Sequence, residues 1–296
     1  MILVSVIIPF FKNIQWLIEA IESVKAQTLD NYEIIVINDG SLEDEKNFLE
    51  NYLSSIVYRK VTNKGPAAAR NLGIQLARGK FVAFLDSDDL WVPHKLESQV
   101  ELMERKSLVW SHTSYSVFNN DNKDDVSLID VSGFFGRIFP QCLYIMNIGT
   151  PCVMIRTEYL QNNEHIRFSE KMRYGEDSYL WILLAIENEL GVCKESLTNV
   201  RRTGTNAVQQ ARIHLKVKAG LYINLIKRRG EFYPPIEVNL LSHMAYKYCY
   251  FCDTLIQKLE LRLGNRKNIA IELISKVIYL PAYVFYKAGY SIMKLA

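Results

Sequence analysis

Short apolar runs alternate with amphipathic segments along the first two thirds of the chain. Five apolar residues at 81–85 run directly into a polar turn, similar runs occur at 4–8 and 34–37, and a further strand is expected at 56–61. Between them, apolar residues recur at the three- and four-residue spacing of a helix, most clearly over 14–24. Strands that alternate with helices of this length predict a doubly wound α/β sheet of parallel strands.

The same periodicities extend the prediction towards the C-terminus. Further strands are expected at 107–118 and 151–155, and the predicted helices are 14–24, 42–53, 66–78, 93–105, 157–163 and one that opens at 176. Gly79 is expected to be the C-cap of helix 66–78. From about residue 207 the apolar spacing is helical throughout. We therefore expect an α/β domain over 1–206 and a basic, helical region over 207–296.

Three carboxylates, Asp86, Asp88 and Asp89, follow the predicted strand at 81–85. Ligands bind at the carboxyl ends of the strands in open α/β sheets, and the loops after the first and second strands are polar as well. Carboxylates this close repel one another unless a cation lies between them, and their oxygen atoms suit Mg²⁺ or Mn²⁺. The alternative is a solvated acidic turn in which Asp89 caps the helix near Pro93.

Composition and charge narrow the class of protein. The chain is 49% apolar and 23% charged, which is typical of a globular protein with a full core. Residues 1–200 contain 19 Lys and Arg against 27 Asp and Glu, whereas residues 201–296 contain 16 against 5. The basic C-terminal third indicates an anionic surface or substrate, and we expect no nucleic-acid partner.

Cysteine usage and the first residues indicate a reducing compartment. Five cysteines in a chain of this length do not suggest a disulfide framework, and Cys249 and Cys252 are expected to pack in a helix rather than bind zinc. The first residues lack the basic region and cleavage site of a signal peptide, so we expect a cytoplasmic location.

The last segment, 269–295, is apolar and rich in tyrosine. Lys276 and Lys287 enclose only ten uncharged residues, which Pro281 interrupts, so the segment is too short to span a bilayer. Two interpretations stay open: a core helix, or an interfacial helix on the inner leaflet with its lysines on anionic lipid. The basic run at 227–229 is likewise either a lipid-binding site or a solvated helical face.

Five short motifs occur in order along the first two hundred residues. They are Val4-Ser5-Val6-Ile7-Ile8-Pro9, Asn38-Asp39-Gly40-Ser41, Asn63-Lys64-Gly65 with Ala69-Arg70-Asn71, Asp86-Ser87-Asp88-Asp89, and Gly175-Glu176-Asp177 followed by Trp181. Together they resemble the motifs of family 2 glycosyltransferases, inverting nucleotide-sugar enzymes with the GT-A fold. The resemblance covers residues 3–205. It implies the doubly wound, mostly parallel sheet of that fold, here with a C-terminal helical extension.

The resemblance implies a nucleotide site at the ends of the first strands. Pro9 and Phe11 occupy the loop that seats the base, and Asp39 matches the acid that accepts a hydrogen bond from uracil, which implies a UDP-sugar donor. Arg70 matches an arginine that binds phosphate or pairs with the acidic cluster. Asn38 stands where the family usually has an aspartate. The alternative for Asp39 is an ordinary Asx turn.

The resemblance also implies a metal site and a catalytic base. In the D-x-D motif, Asp88 is the metal ligand and Asp86 holds the ribose or a metal-bound water. The cation, Mn²⁺ or Mg²⁺, neutralises the departing nucleoside diphosphate. The acidic pair supplies the base, which we assign to Asp177 with Glu176 as the alternative. Trp181 either packs in the core or stacks on a sugar.

Arg201 and Arg202 lie where the family often has an arginine that reaches the diphosphate, and Thr203 replaces a histidine. We therefore expect an inverting glycosyltransferase that moves a sugar from a UDP-sugar to a lipid-linked or polysaccharide acceptor in bacterial surface-glycan synthesis. One alternative is a sugar-phosphate nucleotidyltransferase, although the loop after the first strand lacks the expected glycines. The other is a catalytically inactive nucleotide-sugar-binding protein.

Overall fold

A computed structural model shows how the chain folds. It describes residues 1–120, 125–139, 141–143, 147–172, 175–203, 219–223, 226, 240–263, 277–282, 284 and 288. The chain divides into two compact units, which are residues 1–138 with 146–205, and residues 139–145 with 206–296. The basic run at 227–229 lies outside the described residues, as does most of the segment 269–295.

Of the described residues, the first unit contains the strands and most of the helices. Its elements are β1 (Val4–Phe10), α1 (Ile14–Lys25), β2 (Tyr32–Asn38), α2 (Lys46–Tyr52), β3 (Val57–Lys60), α3 (Pro66–Leu76), β4 (Phe81–Phe84), β5 (Leu90–Trp91), α4 (Lys95–Arg105), β6 (Trp110–Asn119), β7 (Val126–Ile129), β8 (Met154–Arg156), α5 (Thr157–Asn162), α6 (Glu176–Glu187) and β9 (Leu190–Arg202). A single 3₁₀ turn, Thr150–Cys152, precedes β8.

Nine strands of the described residues form one sheet, in the order β3-β2-β1-β4-β8-β6-β9-β5, with β7 beside β6. β3, β2, β1 and β4 are parallel to one another. β8 then runs antiparallel to β4, with Met154 opposite Ala83 and Arg156 opposite Phe81. The predicted α/β fold is confirmed, and its parallel arrangement holds up to β4, beyond which the sheet is mixed.

β1 lies at the centre of the parallel half and is buried on both faces. Val4, Val6 and Ile8 belong to the same core cluster as Leu17 and Ile21 of α1. This explains why the strand is a continuous apolar run rather than an alternating one. On the opposite face α3 approaches closely, since a Cβ at Gly73 would lie only 2.4 Å from Cγ2 of Ile7.

The helix that precedes β4 ends differently from the prediction. α3 stops at Leu76, and Ala77 is already extended, with φ −65° and ψ 131°. Gly79 is therefore not its C-cap, and that expectation was wrong. Its small size serves the approach to β1 instead, because a Cβ there would lie 2.6 Å from the backbone nitrogen of Ser5.

β9 was not predicted from the sequence. It pairs in parallel with β6 over its whole length, from Leu190 opposite Trp110 to Arg202 opposite Asn119, with a register shift on either side of Ser114. Such irregularities interrupt the period-two alternation of inward and outward residues, which removes the usual sequence signal of a strand.

In the second unit, α7 (Leu240–Leu263) presents one buried face. That face carries Ala245, Tyr246, Cys249, Cys252 and Ile256. The Tyr246 hydroxyl donates to the carbonyl of Leu143 at 3.0 Å. Within the described ranges, no helix combines the length and the apolar character needed to cross a bilayer.

Candidate active site

The carboxyl ends of β1, β2 and β4 open onto a cavity of about 340 Å³. This is the edge at which parallel α/β sheets bind ligands. The lining residues include six that the sequence had marked as nucleotide or metal ligands: Pro9, Phe11, Asp39, Arg70, Asp86 and Asp88. The structure therefore brings together side chains that are separated by almost eighty residues in the sequence.

Asp39 links two segments that line this cavity, the end of β2 and the loop before α3. Its carboxylate is buried and accepts hydrogen bonds from the backbone nitrogens of Lys64 and Gly65, each at 2.8 Å. Both oxygens thus hold the loop that leads into α3. Because each carboxylate oxygen has two lone pairs, the side chain keeps acceptor capacity for a further donor.

Asn38, the residue that departs from the family pattern, has a structural role. Its amide nitrogen donates to Glu45 and to the Tyr58 hydroxyl, both at 2.7 Å, and its oxygen accepts from the backbone nitrogen of Ser41 at 2.7 Å. These bonds anchor the turn that contains Asp39 to α2 and β3.

Arg70 connects the two halves of the predicted site. Its Nη2 lies 2.6 Å from Oδ1 of Asp86, at the end of β4, and its Nη1 lies 3.3 Å from Oε1 of Glu176, at the start of α6. The guanidinium is buried and rests 5.3 Å from the Phe168 ring centre. One side chain therefore holds together carboxylates that are 90 residues apart in the sequence.

Negative charge is concentrated at the turn after β4. Burial, and then the neighbouring Asp86, raise the pKa of Asp88 to about 6. Burial also raises the pKa of Asp89, with further contributions from Asp86 and Asp88. Burial is the main cause of both raised pKa values, repulsion between the neighbouring carboxylates adds to it, and Arg201 opposes it. Within the described ranges, no group of three or more His, Cys, Asp or Glu residues could hold a metal ion.

Asp89 shapes this turn and does not cap the following helix. Its backbone nitrogen donates to the carbonyl of Asp86 at 3.0 Å, and its carboxylate accepts from the backbone nitrogen of Arg201 at 2.8 Å. α4 begins six residues later, at Lys95, and its N-cap His94 makes no side-chain capping bond. The backbone nitrogen of Leu96 donates instead to the side-chain oxygen of Gln27 at 3.0 Å. The capping role, which was the alternative interpretation of Asp89, is therefore wrong, since the carboxylate is already bound to β9.

The two arginines at the end of β9 have different surroundings. The Arg201 guanidinium is buried, and its Nη2 lies 2.6 Å from Glu19. Arg202 is exposed and its Nη1 lies 3.1 Å from Asp125. Neither appears among the residues that line the cavity. Their contact with a diphosphate stays a prediction.

The acidic pair opens α6, where the positive end of the helix dipole faces it. Glu176 borders a second cavity of about 450 Å³, between residues 63–67 and 170–172. Burial, and then Asp177, raise the pKa of Glu176, whereas Arg70 opposes the shift. Asp177 accepts hydrogen bonds from the Thr150 hydroxyl at 3.2 Å and from the backbone nitrogen of Ser178 at 2.6 Å.

Trp181 belongs to the core. It is fully buried and stacks on Trp110 with ring centres 6.1 Å apart, while Phe168 meets it edge-on at 5.8 Å. Of the two interpretations of Trp181, core packing is therefore correct and stacking on a sugar is not. Phe168, which also contacts Arg70, was missed because it lies in a segment without regular apolar spacing.

The sequence model of glycosyl transferase family 2 matches residues 5–163, which is more than half of the chain. The chain belongs to glycosyl transferase family 2. The matched region contains the cavity-lining residues of β1, β2, α3 and β4, but ends before the acidic pair of α6.

Curated relatives of this family 2 glycosyltransferase come from several bacteria. An uncharacterized glycosyltransferase of Rickettsia felis is 46% identical over 68% of this chain and 33% of its own length. The Escherichia coli protein WfgD, a UDP-Glc:α-D-GlcNAc-diphosphoundecaprenol β-1,3-glucosyltransferase, is 31% identical over 64% of this chain and 72% of its own length. The chain spans about a third of the length of the Rickettsia relatives that it matches.

Solved structures of similar shape include Staphylococcus aureus TarS. Residues 1–349 of TarS in complex with UDP align with a TM-score of 0.61, at 16% identity, over 99% of this chain and 92% of the other. A complex of the same protein with UDP-GlcNAc aligns with a TM-score of 0.60, at 19% identity, over 75% of this chain and 67% of the other. The likeness supports the GT-A fold of this family 2 member.

Proposed function

We propose that the protein is an inverting glycosyltransferase that transfers a sugar from a UDP-sugar to a hydroxyl group of a lipid-linked or polysaccharide acceptor. The observation that carries the proposal is the Arg70 bridge between Asp86 and Glu176, because it joins the predicted donor site to the acidic pair that contains the predicted base. The relative WfgD, a glucosyltransferase, and the nucleotide complexes of TarS support the same reaction class. We accordingly assign the protein to surface-glycan synthesis.

In this proposal the cavity holds the nucleotide. Pro9 and Phe11 flank the base, Asp39 accepts a hydrogen bond from it, and Asp86 holds the ribose or a metal-bound water. Half of the Phe11 side chain is exposed, which leaves an apolar ring available to a planar base. Arg70 keeps Asp86 oriented through its 2.6 Å ion pair.

The residues present suit a divalent cation, Mn²⁺ or Mg²⁺. Two carboxylates of the turn, Asp86 and Asp88, line the cavity, and Asp86 contributes, after burial, to the raised pKa of Asp88, a repulsion that a cation would offset. Magnesium is usually held by one or two carboxylates together with substrate phosphates and waters, so no third protein ligand is needed. When bound, the cation neutralises charge on the departing diphosphate.

The base accepts the proton of the acceptor hydroxyl. As that oxygen bonds to the anomeric carbon, the bond from this carbon to the phosphate oxygen breaks and UDP leaves with the electron pair. We keep Asp177 as the proposed base and Glu176 as the alternative. Asp177 is oriented by Thr150 and Ser178, whereas Glu176 is paired with Arg70 and borders the second cavity. The second cavity is the proposed acceptor side.

The proposal extends to the inner face of a membrane. The solvent-facing side of α7 carries Leu240, Met244, Phe251 and Leu255, which are 39% to 72% exposed. Their spacing of four, seven and four residues places them in one stripe. Exposed Lys247 and Lys258 lie along the same stripe, so that face combines apolar and basic groups as interfacial helices do.

A donor screen tests the proposed function. Calorimetry with Mn²⁺ and a panel of UDP- and GDP-sugars is expected to show binding of UDP-sugars, followed by sugar transfer to a diphosphate-lipid acceptor. Formation of a UDP-sugar from UTP and a sugar 1-phosphate would instead favour a nucleotidyltransferase. Binding without transfer or donor hydrolysis, against a range of lipid-linked and polysaccharide acceptors, would favour an inactive binding protein.

A further inference from the structure

Arg201 does not line the cavity, but it contacts the acidic turn that follows β4. It lies near the end of β9, and only 2% of its side chain is exposed. Its guanidinium packs between two aromatic rings, with the Trp16 centre at 5.1 Å and the Phe118 centre at 4.8 Å. A buried charge of this kind is costly unless every donor finds a partner.

Polar groups from three segments accept hydrogen bonds from the guanidinium. Nη2 donates to Glu19 of α1 at 2.6 Å, Nη1 donates to the side-chain oxygen of Asn120, and Nε donates to the carbonyl of Asp88 at 2.8 Å. The guanidinium therefore links three separate segments of the chain. Only the last of these bonds reaches the turn that ends β4.

The connection between Arg201 and the turn runs in both directions. Nε of the arginine holds the Asp88 carbonyl, while the Asp89 carboxylate accepts from the arginine's own backbone nitrogen at 2.8 Å. The turn is closed by the bond from the Asp89 nitrogen to the Asp86 carbonyl. Two peptide units of the turn and the Asp89 side chain are thus held in place, and one of these peptide units directly follows the Asp88 side chain.

We propose that Arg201 is a positioning residue, which holds the Asp86–Asp89 turn so that Asp88 can meet a divalent cation on the donor diphosphate. The inference rests on the proposed function, because it assumes a metal-bound nucleotide at Asp88. It replaces direct contact between Arg201 and the diphosphate, which the sequence had suggested, by an action through Asp88. Groups that orient metal ligands in this way commonly change metal affinity by about 10- to 100-fold when removed.

The two roles predict different effects on UDP binding. If Arg201 acts through Asp88, Arg201→Met reduces the affinity for UDP measured with Mn²⁺ and leaves the affinity measured with EDTA unchanged. If Arg201 contacts the diphosphate, affinity falls by a similar factor in both conditions. Calorimetry of the full chain with UDP, in Mn²⁺ and in EDTA, separates them. We expect the gain in affinity due to Mn²⁺ to fall by about tenfold.

Three further variants control for loss of stability. Arg78→Met removes an arginine paired with Glu33 at 2.5 Å, at the opposite edge of the sheet, and should lower the melting temperature without changing Mn²⁺-dependent UDP binding. Glu19→Gln weakens the ion pair that holds the Arg201 guanidinium, at a site away from the turn. It should reproduce part of the Arg201→Met effect. Arg201→Lys, which keeps the charge but has a single donor nitrogen, should recover part of the loss.

The outcomes distinguish this inference from the proposed function. Wild-type protein that binds UDP equally with Mn²⁺ and with EDTA would overturn the metal role itself. Wild-type protein that gains affinity with Mn²⁺, together with an Arg201→Met variant that gains as much, would overturn only the positioning role. A similar loss in EDTA and in Mn²⁺ would also overturn it, in favour of direct contact with the diphosphate.

Discussion

The ammonium nitrogen of Lys95 lies 3.7 Å from the centre of the Trp91 ring, and within the described part of the chain it makes no hydrogen bond. The side chain is fully buried, and burial lowers its pKa from 10.5 to about 7. The nearest ionisable groups that influence it are the thiols of Cys152 and Cys193. Burial of the Lys95 amine therefore costs free energy of folding.

We predict that Lys95→Met stabilises the α/β unit near neutral pH. Between pH 7 and about 10 the unfolded chain binds a proton at Lys95 that the folded chain does not, so wild-type stability rises with pH over this window. The variant lacks this slope. Its advantage should be roughly 2–4 kcal/mol at pH 7 and should shrink as the pH approaches 10.

Tryptophan fluorescence measures this effect selectively, because all four tryptophans lie in the α/β unit. Melting curves are compared between the two proteins at pH 7 and pH 9. A difference in melting temperature that is the same at both pH values would contradict the assigned protonation change. Lys25→Met, at an exposed ion pair with Glu22, serves as the control and should show little change.

Removal of Arg70 should abolish most of the transfer activity. Arg70→Met leaves Asp86 and Glu176 without the cation that joins them, so both lose their orientation. We expect the rate of sugar transfer to fall by about a hundredfold or more, the size reported for a single electrostatic group of an active site. Initial rates with UDP-sugar and Mn²⁺ test this, and an Arg70→Met variant with unchanged rates would contradict the bridge.

Asp88→Asn is expected to remove the response to metal. The variant should bind UDP in Mn²⁺ no better than wild-type protein does in EDTA, because the proposed ligand has lost its charge. Calorimetry measures both affinities, and restoration of wild-type turnover by chelator washout and added Mn²⁺ is the matched positive control. A variant that still responds to Mn²⁺ would show that the cation binds elsewhere.

The base assignment is tested by two isosteric variants. Asp177→Asn should leave UDP binding intact while transfer falls by about 10²–10⁴-fold, the range for a lost general base. Glu176→Gln should reduce transfer less, through the weakened pairing with Arg70. If Glu176→Gln has the larger effect and Asp177→Asn transfers normally, the base is Glu176.

The exposed stripe of α7 gives a prediction about membranes. Phe251→Ser combined with Leu255→Ser should reduce sedimentation of the protein with vesicles that contain anionic lipid, because apolar area and charge both contribute to interfacial binding. Leu42→Ser removes a fully exposed leucine of the other unit and is the control. Equal sedimentation of all three proteins, or sedimentation that does not depend on anionic lipid, would contradict the proposal.

Local signals explain which parts of the molecule were predictable. β1, β2 and β4 are continuous apolar runs followed by polar turns, so strands and candidate ligands were visible together in the sequence. The surroundings of Arg201 were not, because they depend on Glu19, Phe118 and Asn120, which meet only in the folded chain. Gly79 was assigned wrongly for the same reason, since its size is required by Ser5 on another strand.

β8 runs in the opposite direction to β4, and this reversal determines which residues lie beside the end of β4 at the open edge of the sheet. A parallel neighbour would have ended where β4 ends and continued into a loop of its own. β8 instead starts there, so that the turn leading into it, with Thr150, is delivered to the rim. Thr150 then holds Asp177. The antiparallel direction of β8 therefore places Asp177, which comes late in the chain, at a rim formed by the first ninety residues.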